Sequence, residues 1–142
     1  MRVAVEPDPT TLEAAFQLRQ RVFVEEQGVP AALERDALDA VAHHVVLLEG
    51  ERAIGTGRVR LVAPDVAKVE RVAVDVDRRG QGSGRRVMEA LEERARALGA
   101  ANVRLAAQES AVAFYQRLGY TAHGERFWDA GLPHRWMDKA LR

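Results

Sequence analysis

A glycine-rich loop between a strand pattern and a helix pattern constrains this chain more than any other feature. The loop reads Arg79-Gly80-Gln81-Gly82-Ser83-Gly84. Valines dominate residues 67–76 before it, and apolar residues recur at helical spacing from Val87 to Leu98 after it. Glycine lets the backbone turn its N–H groups toward one point, and a helix start adds the positive end of its dipole. The loop is therefore predicted to be an anion site within a mixed α and β domain.

Strand and helix patterns on either side of the loop predict the element order β-α-β-β-β-α-β-α-β-β. The strand patterns occupy 3–5, 44–49, 53–62, 67–76, 102–107 and two stretches of 120–141. The helix patterns occupy 10–28, 87–98 and 110–118. Residues 31–42 fit either a short helix or a long loop. Because short turns favour antiparallel pairing, we expect the α+β class, with a central mixed but mostly antiparallel sheet and flanking helices.

Length and charge limit the remaining possibilities. The chain has 142 residues, the size of one domain, so a single domain over 1–142 is expected. Its 21 basic and 21 acidic residues cancel, which argues against a general electrostatic grip on nucleic acid or an anionic membrane. No apolar run reaches the length of a membrane span or a signal-peptide core, so a cytoplasmic location is expected. The absence of cysteine excludes disulfides and thiolate metal sites, and no metal site is predicted.

The spacing of the loop excludes two common phosphate-binding motifs. A Walker loop needs a lysine after its last glycine, and none stands there. A dinucleotide fingerprint needs a third glycine, but counting from Gly80 or Gly82 gives Arg85 or Val87 at that position. Four nearby arginines, at 78, 79, 85 and 86, supply further donors for phosphate. The alternative interpretation is a glycine-rich strand-to-helix turn with solvated arginines.

Two motifs resemble those of the GNAT superfamily of acyl-CoA-dependent N-acyltransferases. Arg79-x-x-Gly82-x-Gly84 resembles the family's [Q/R]-x-x-G-x-[G/A] loop. The stretch from Phe114 to Tyr120 resembles its F-Y-x-x-x-G-[F/Y] segment. The predicted element order fits the family fold over essentially the whole chain. Further stretches, including Gly131-Leu132-Pro133-His134, are similar to the ElaA-type subgroup.

The resemblance implies acetyl-CoA as cosubstrate and a primary amine of a small molecule or protein as acceptor. The loop amides are then expected to hold the coenzyme A pyrophosphate, and the preceding strand to splay from its neighbour and admit the pantetheine arm. The residues assigned to the cosubstrate are Val72, Ala73, Val74, Arg79, Gly80, Gln81, Gly82, Ser83, Gly84, Arg85, Gln108 and Tyr115. Because small members of the family are often dimers, the resemblance also allows a homodimer.

Tyr115 is the candidate general acid, because it matches the family tyrosine that points its phenol at the coenzyme sulfur. A phenol keeps its proton at neutral pH and can share it with a departing thiolate. The alternative is an aromatic residue packed in the core with its hydroxyl at the edge.

Glu70 and His134 are the candidate bases that take the proton of the acceptor ammonium. By strand alternation, Glu70 shares a face with Val72 and Val74, where an unpaired carboxylate is costly. Its alternative role is a salt bridge with Arg58, Arg60 or Arg71. The ordinary pKa of histidine suits proton transfer near neutrality, and the alternative for His134 is a structural position at the core edge.

Three acidic residues, Glu34, Asp36 and Asp39, are predicted either to form a rim that attracts a cationic acceptor or to belong to a solvated loop. Arg58 and Arg60 are candidates to bind an acceptor carboxylate. The favoured function is an acetyl-CoA-dependent N-acetyltransferase. A non-catalytic acyl-CoA-binding or regulatory module is the alternative, and it would need neither Tyr115 nor a base.

Overall fold

Seven strands form one sheet in the computed structural model, which describes every residue from Met1 to Arg142. The strands are β1 Arg2–Val5, β2 His43–Glu49, β3 Arg52–Ala63, β4 Val66–Val74, β5 Asn102–Gln108, β6 Thr121–Asp129 and β7 Leu132–Ala140. Their order across the sheet is β1-β2-β3-β4-β5-β7-β6, and only β4 and β5 pair in parallel. The expected mixed, mostly antiparallel sheet is confirmed.

The helices lie between these strands in the predicted order. They are α1 Pro9–Arg19, α2 Ala31–Glu34, α3 Ser83–Ala97 and α4 Val112–Arg117. A π-helical segment, Gln20–Glu26, continues α1 toward Gly28, whose φ of +76° lies in the left-handed region where helices often end. The ambiguous residues 31–42 contain α2 and the 3₁₀ turn Ala37–Ala40.

The sheet carries an apolar layer on each face. On one face α3 covers the larger core, in which Val87, Met88 and Leu91 are fully buried. On the other face α1 places Ala15 and Leu18 over β2, β3 and β4. That second face has no long helix over β5, β7 and β6, and we call this half of it the open face.

A bulge in β4 redirects the strand that leads to the glycine loop. Gly57 of β3 stands opposite two residues of β4, Arg71 and Val72. Arg71 takes a φ of +58°, a left-handed conformation that costs a non-glycine residue roughly 1–2 kcal/mol. One extra residue reverses the alternation beyond it, so Glu70 and Val72 lie on opposite faces. The predicted shared face of Glu70, Val72 and Val74 is therefore wrong.

Beside this bulge, β4 and β5 separate. Their parallel pairing begins at Val66 opposite Asn102 and ends at Val69 opposite Leu105. Beyond that point β5 stays paired with β7 to its end. The edge of β4 from 70 to 74 therefore faces a gap, which is the splayed pair of strands that the family resemblance implies.

Candidate active site

A cavity of about 570 Å³ occupies the gap between β4 and β5. Residues from five parts of the chain line it: the segment after α1, the middle of β4, Arg79 of the glycine loop, the passage from β5 to α4, and the turn between β6 and β7. Tyr115, Glu70 and His134, the three candidate catalytic residues, are all among them. The fold thus brings together side chains from α4, β4 and β7 around a space of the size that small-molecule sites have.

The glycine loop leaves room and unsatisfied donors at the start of α3. Gly80 and Gly82 take φ values of +75° and +85°, and a Cβ at either position would meet no atom within 4 Å. Gly82 is the N-cap of α3 and supplies no side chain to bind the free N–H groups. The hydroxyl of Ser83 is buried without a hydrogen-bond partner. Because such donors at a helix start bind phosphate, the residues present fit a pyrophosphate group.

Gly84 serves packing rather than ligand access. A Cβ at this position would lie 2.9 Å from Cζ of Phe114, which is closer than such atoms approach in proteins. Glycine therefore lets the first turn of α3 touch α4. Phe114 in turn holds Tyr115 in an edge-to-face contact, with ring centroids 5.0 Å apart. The contact links the glycine loop to the candidate acid.

The side chain of Arg79 is bound by the protein itself. Its guanidinium donates to both carboxylate oxygens of Glu26, at 2.5 and 2.8 Å. It thereby ties the glycine loop to the end of the π-helical segment, and its role as a further phosphate donor stays a prediction. Arg85 is 68% exposed and lies 3.7 Å from Glu89 one turn along α3, so its guanidinium remains accessible to an anion.

The other residues assigned to the cosubstrate occupy different positions around the gap. Val72 lines the cavity, whereas Ala73 is buried in the small core under α1. Gln81 is exposed at the loop. Gln108 lines the cavity, but its amide donates to the side-chain oxygen of Gln27 at 2.7 Å. This Gln27–Gln108 bond joins two cavity walls and was not anticipated from sequence, since nothing in either local pattern predicts a partner 81 positions away.

Tyr115 lies between the core and the cavity. Its ring is 8% exposed and makes edge-to-face contacts with Phe114 and Tyr120. Its hydroxyl makes no hydrogen bond with the protein, and burial alone raises the pKa of the phenol. A proton that is retained at neutral pH and aimed at no protein acceptor is available to a ligand in the cavity.

Three cations bind the carboxylate of Glu70, which lies in the part of β4 that has separated from β5. Its carboxylate lies 2.9 Å from Nε of Arg60, 3.1 Å from Nζ of Lys68 and 3.3 Å from Nε of Arg58. Burial raises the pKa of Glu70, but the hydrogen bond from Arg60 and the charges of Arg58 and Lys68 outweigh burial and lower it. The predicted salt bridges with Arg58 and Arg60 are confirmed. A carboxylate that is stabilised in its charged form is a weaker proton acceptor.

The three carboxylates of the predicted acidic rim are bound by arginines of the protein itself. Arg19 and Arg58, each 1% exposed, bind its three carboxylates. Arg19 contacts Glu34 at 3.0 Å and Asp39 at 2.8 Å, and Arg58 contacts Asp36 at 2.8 Å and Asp39 at 2.7 Å. Burial opposes ionisation, but hydrogen bonds from both arginines hold the pKa of Asp39 far below its usual value. The three carboxylates are therefore not a free acidic rim: Glu34 is buried, and Asp36, although exposed, is bound to Arg58, because two buried guanidinium groups required partners.

These contacts belong to one larger cluster, which we call the ion-pair network. Its members are Arg19, Glu34, Asp36, Asp39, Arg58, Arg60, Lys68, Glu70 and Arg71. The network fastens the segment from α2 to the 3₁₀ turn onto β3 and β4, beside the bulge. Since the donors of Arg58 are used within it, the predicted role of Arg58 in binding an acceptor carboxylate is wrong.

His134 is held in one orientation at the opposite wall. Its Nδ1 lies 2.8 Å from the carbonyl oxygen of Leu132, and its ring stacks on Phe127 with centroids 5.7 Å apart. A carbonyl can only accept, so Nδ1 carries the proton and the neutral ring keeps its lone pair on Nε2. Met137, three residues along β7, is buried in the core under α3, so alternation turns His134 to the open face.

Asp129 is a cavity residue that the sequence treats only as part of a turn. It ends β6 opposite Leu132, and the two-residue turn Ala130-Gly131 joins them. Counting the hairpin register outward from this turn would have placed it on the same face as His134. Neither a helix that could cross a membrane nor a cluster of metal-binding side chains is found in the structure.

Comparison with known proteins gives matches along the whole chain. The GNAT acetyltransferase domain profile matches residues 6–141. The chain is 40% identical over 140 residues to the uncharacterized N-acetyltransferase YjcF of Bacillus subtilis, covering 98% of this chain and 99% of that protein. It is similar to the crystal structure of Escherichia coli ElaA, with a TM-score of 0.85 and 25% identity over 97% and 98% of the two chains. An acyl-CoA N-acyltransferase from Pseudomonas aeruginosa has a TM-score of 0.85 and 30% identity over 98% and 99%.

Proposed function

The chain belongs to the GNAT family and is an N-acetyltransferase, and from that premise we propose that it transfers the acetyl group of acetyl-CoA to a primary amine by direct attack. Acyl transfer follows from the family. The specificity for acetyl-CoA as the donor and for a primary amine as the acceptor is the proposal. The relative from Pseudomonas aeruginosa is named for acyl-CoA, which supports a coenzyme A thioester as the donor here.

The unpartnered hydroxyl of Tyr115 is the observation that carries this proposal. A buried phenol normally finds a hydrogen-bond partner in the protein. Here its partner has to be a molecule in the cavity, which is also lined by Arg79, the first residue of the glycine loop. A donor held by its phosphates at the start of α3, with its thioester in the gap, would bring its sulfur toward this hydroxyl.

In the proposed reaction the amine nitrogen forms a bond to the acetyl carbon, and the carbon–sulfur bond breaks. The ammonium form of the acceptor must first lose a proton, because only the neutral amine has a free electron pair. The departing thiolate takes the proton of Tyr115. As the carbon–sulfur bond breaks, the attacking nitrogen loses its second proton, and this proton restores the phenol directly or through water.

Of the two candidate bases, we favour His134. Its Nε2 lone pair is free, whereas both oxygens of Glu70 lie against cations that lower its pKa. His134 lines the cavity from the open face, so a proton could pass to it directly or through one water. Glu70 is assigned to the ion-pair network, where it holds β4 in place.

Release of free thiol from acetyl-CoA in the presence of a panel of primary amines tests the function. The Tyr115→Phe variant keeps the ring and removes the proton, and we expect kcat to fall roughly 10²-fold while coenzyme A binds as in the wild type. Tyr120→Phe is the matched control, because its hydroxyl donates to Glu92 at 2.8 Å inside the protein. That variant should lose stability and keep its turnover.

Two outcomes would contradict the proposal. An unchanged kcat in Tyr115→Phe, with chemistry shown to limit the rate, would return Tyr115 to a packing role. Tight binding of acetyl-CoA without thiol release for any amine would favour the non-catalytic acyl-CoA-binding module instead.

A further inference from the structure

We propose that Asp129 binds a second cationic group of the acceptor, so that the preferred substrates are diamines or polyamines rather than monoamines. This inference rests on the proposed function, since it names the substrate class for the same cavity. It starts from the question of which charged side chains around that cavity have ion-pair partners in the protein.

Asp129 is the one carboxylate of the cavity lining without a cationic partner in the protein. Glu34 is held by Arg19 and Arg71, and Glu70 by the cations of the ion-pair network. Asp129 takes part in none of the ion pairs or side-chain hydrogen bonds of the structure, and it is exposed at the rim. Its charge is therefore available to a ligand.

Each cation of the lining contacts a carboxylate of the protein. Lys68 lies 3.1 Å from Glu70, and the guanidinium of Arg79 is bound by Glu26. Arg71 is bound by the carboxylates of the segment after α1. Asp129 is thus the one charged side chain of the lining without an oppositely charged partner in the protein, and it lies at the β6–β7 turn.

The hairpin places Asp129 at a useful distance from the favoured base. Leu132 stands opposite Asp129, and Phe127 stands opposite His134, so all four side chains share the open face. Diagonal neighbours of this kind lie roughly 7–8 Å apart, with their Cβ atoms somewhat closer. One amine of a short diamine can lie near Nε2 of His134 while the other reaches the carboxylate.

The turn between the strands makes this arrangement rigid. Ala130 and Gly131 both take positive φ values, +50° and +79°, which is the geometry of a tight type I′ hairpin. Strand pairing up to Asp129 and Leu132 leaves no loose residue at the tip. The carboxylate is therefore presented by a defined backbone, as a specificity residue needs to be.

Two probes of equal chain length test the inference: 1,4-diaminobutane and 4-amino-1-butanol. They differ in whether the far end carries a charge. In the wild type we expect the diamine to have the higher kcat/KM with acetyl-CoA. Asp129→Asn should lower kcat/KM for the diamine by roughly two- to fivefold, the effect of an exposed ion pair, and leave the amino alcohol unchanged. Glu125→Gln on the same strand is the control, since Glu125 is exposed and lies outside the cavity lining.

Binding is measured in parallel, so that the inference is decided even if no acetyl transfer occurs. With coenzyme A present, the diamine should raise the unfolding midpoint of the wild type more than the amino alcohol, and Asp129→Asn should abolish the difference. Absence of thiol release together with this binding preference would refute the proposed function and support the charge site. Equal responses to the two probes in the wild type, or equal losses for both in Asp129→Asn, would overturn the inference.

Discussion

The glycine loop and the ion-pair network, which both contribute residues to the cavity wall, differ in how their polar groups are bound. At the glycine loop, the N–H groups that begin α3 and the Ser83 hydroxyl lack protein partners. At the ion-pair network, the buried guanidinium of Arg58 contacts the carboxylates of Asp36, Asp39 and Glu70. We propose that the first region binds the phosphates of the ligand. The second is closed on itself and serves as a support.

The difference teaches how a charged residue near a cavity should be interpreted. Glu70 and Glu34 line the cavity, yet their charges are used within the protein. The backbone donors of Gly82 and Ser83 carry no formal charge and are nevertheless the free groups. Availability of a group, more than its charge, therefore separates the binding region from the supporting region.

Removing the central cation of the network should have the largest effect. Arg58→Met leaves the carboxylates of Asp36 and Asp39 with a buried partner missing, and we expect the free energy of unfolding to fall by about 3–5 kcal/mol. Urea denaturation measures it. The control Arg85→Met removes an exposed arginine at the glycine loop and should change stability by less than about 0.5 kcal/mol. A loss below about 1 kcal/mol for Arg58→Met would mean that the network is not a support.

Replacing each candidate base in turn by glutamine tests which wall of the cavity takes part in the chemistry. His134→Gln should lower kcat/KM at neutral pH by roughly 10²-fold, with partial recovery as pH rises, because free amine then comes from solution. Glu70→Gln should chiefly lower stability and leave the pH profile of kcat/KM in place. If Glu70→Gln instead removes the neutral limb of the profile and His134→Gln does not, Glu70 is the base.

The ion-pair network should make the folded protein sensitive to acid, whereas changes of pH near neutrality should have little effect on its stability. The pKa values of Asp36, Asp39 and Glu70 are lowered in the folded protein, from ordinary values of 3.8 for aspartate and 4.5 for glutamate. Groups with depressed folded pKa values contribute stability above their unfolded pKa and lose it as pH falls toward the folded one. The free energy of unfolding should therefore be nearly flat from about pH 7 to pH 5 and decline below about pH 4.5.

The Arg58→Met variant provides the comparison for this acid series. Because the arginine that lowers these pKa values is gone, its stability should decline less steeply between about pH 4.5 and pH 3 than that of the wild type. Parallel declines in the two proteins would place the acid sensitivity outside the network.

The smallest effect is expected at the glycine loop, where the two glycines that flank α3 can be compared. Gly82 begins the helix and Gly99 follows its end, with φ values of +85° and +94° and open space at both Cβ positions. Alanine at either should cost roughly 1–2 kcal/mol of stability, from backbone strain. Only Gly82→Ala should also weaken coenzyme A binding, measured by calorimetry. Equal affinities in the two variants would move the phosphate site away from the loop.

The sequence by itself determined the local elements and the glycine loop. Strand alternation, helical spacing and turn glycines depend on residues that are neighbours in the chain, so they can be recognised without a fold. The same holds for the glycine loop, where the backbone of Gly80 to Ser83 provides both the shape and the donors. Residues such as Tyr115 could be selected because a motif carries them.

The tertiary structure alone decided which charges are free. Arg19 meets Glu34 and Asp39 only because α1 is laid across the sheet beside α2 and the following 3₁₀ turn. The bulge at Arg71, set by the register of β3 against β4, moved Glu70 to the face opposite the one that alternation assigns. Ion pairing depends on distance in space, and a single inserted residue reverses a strand's two faces, so neither result can be obtained from local patterns.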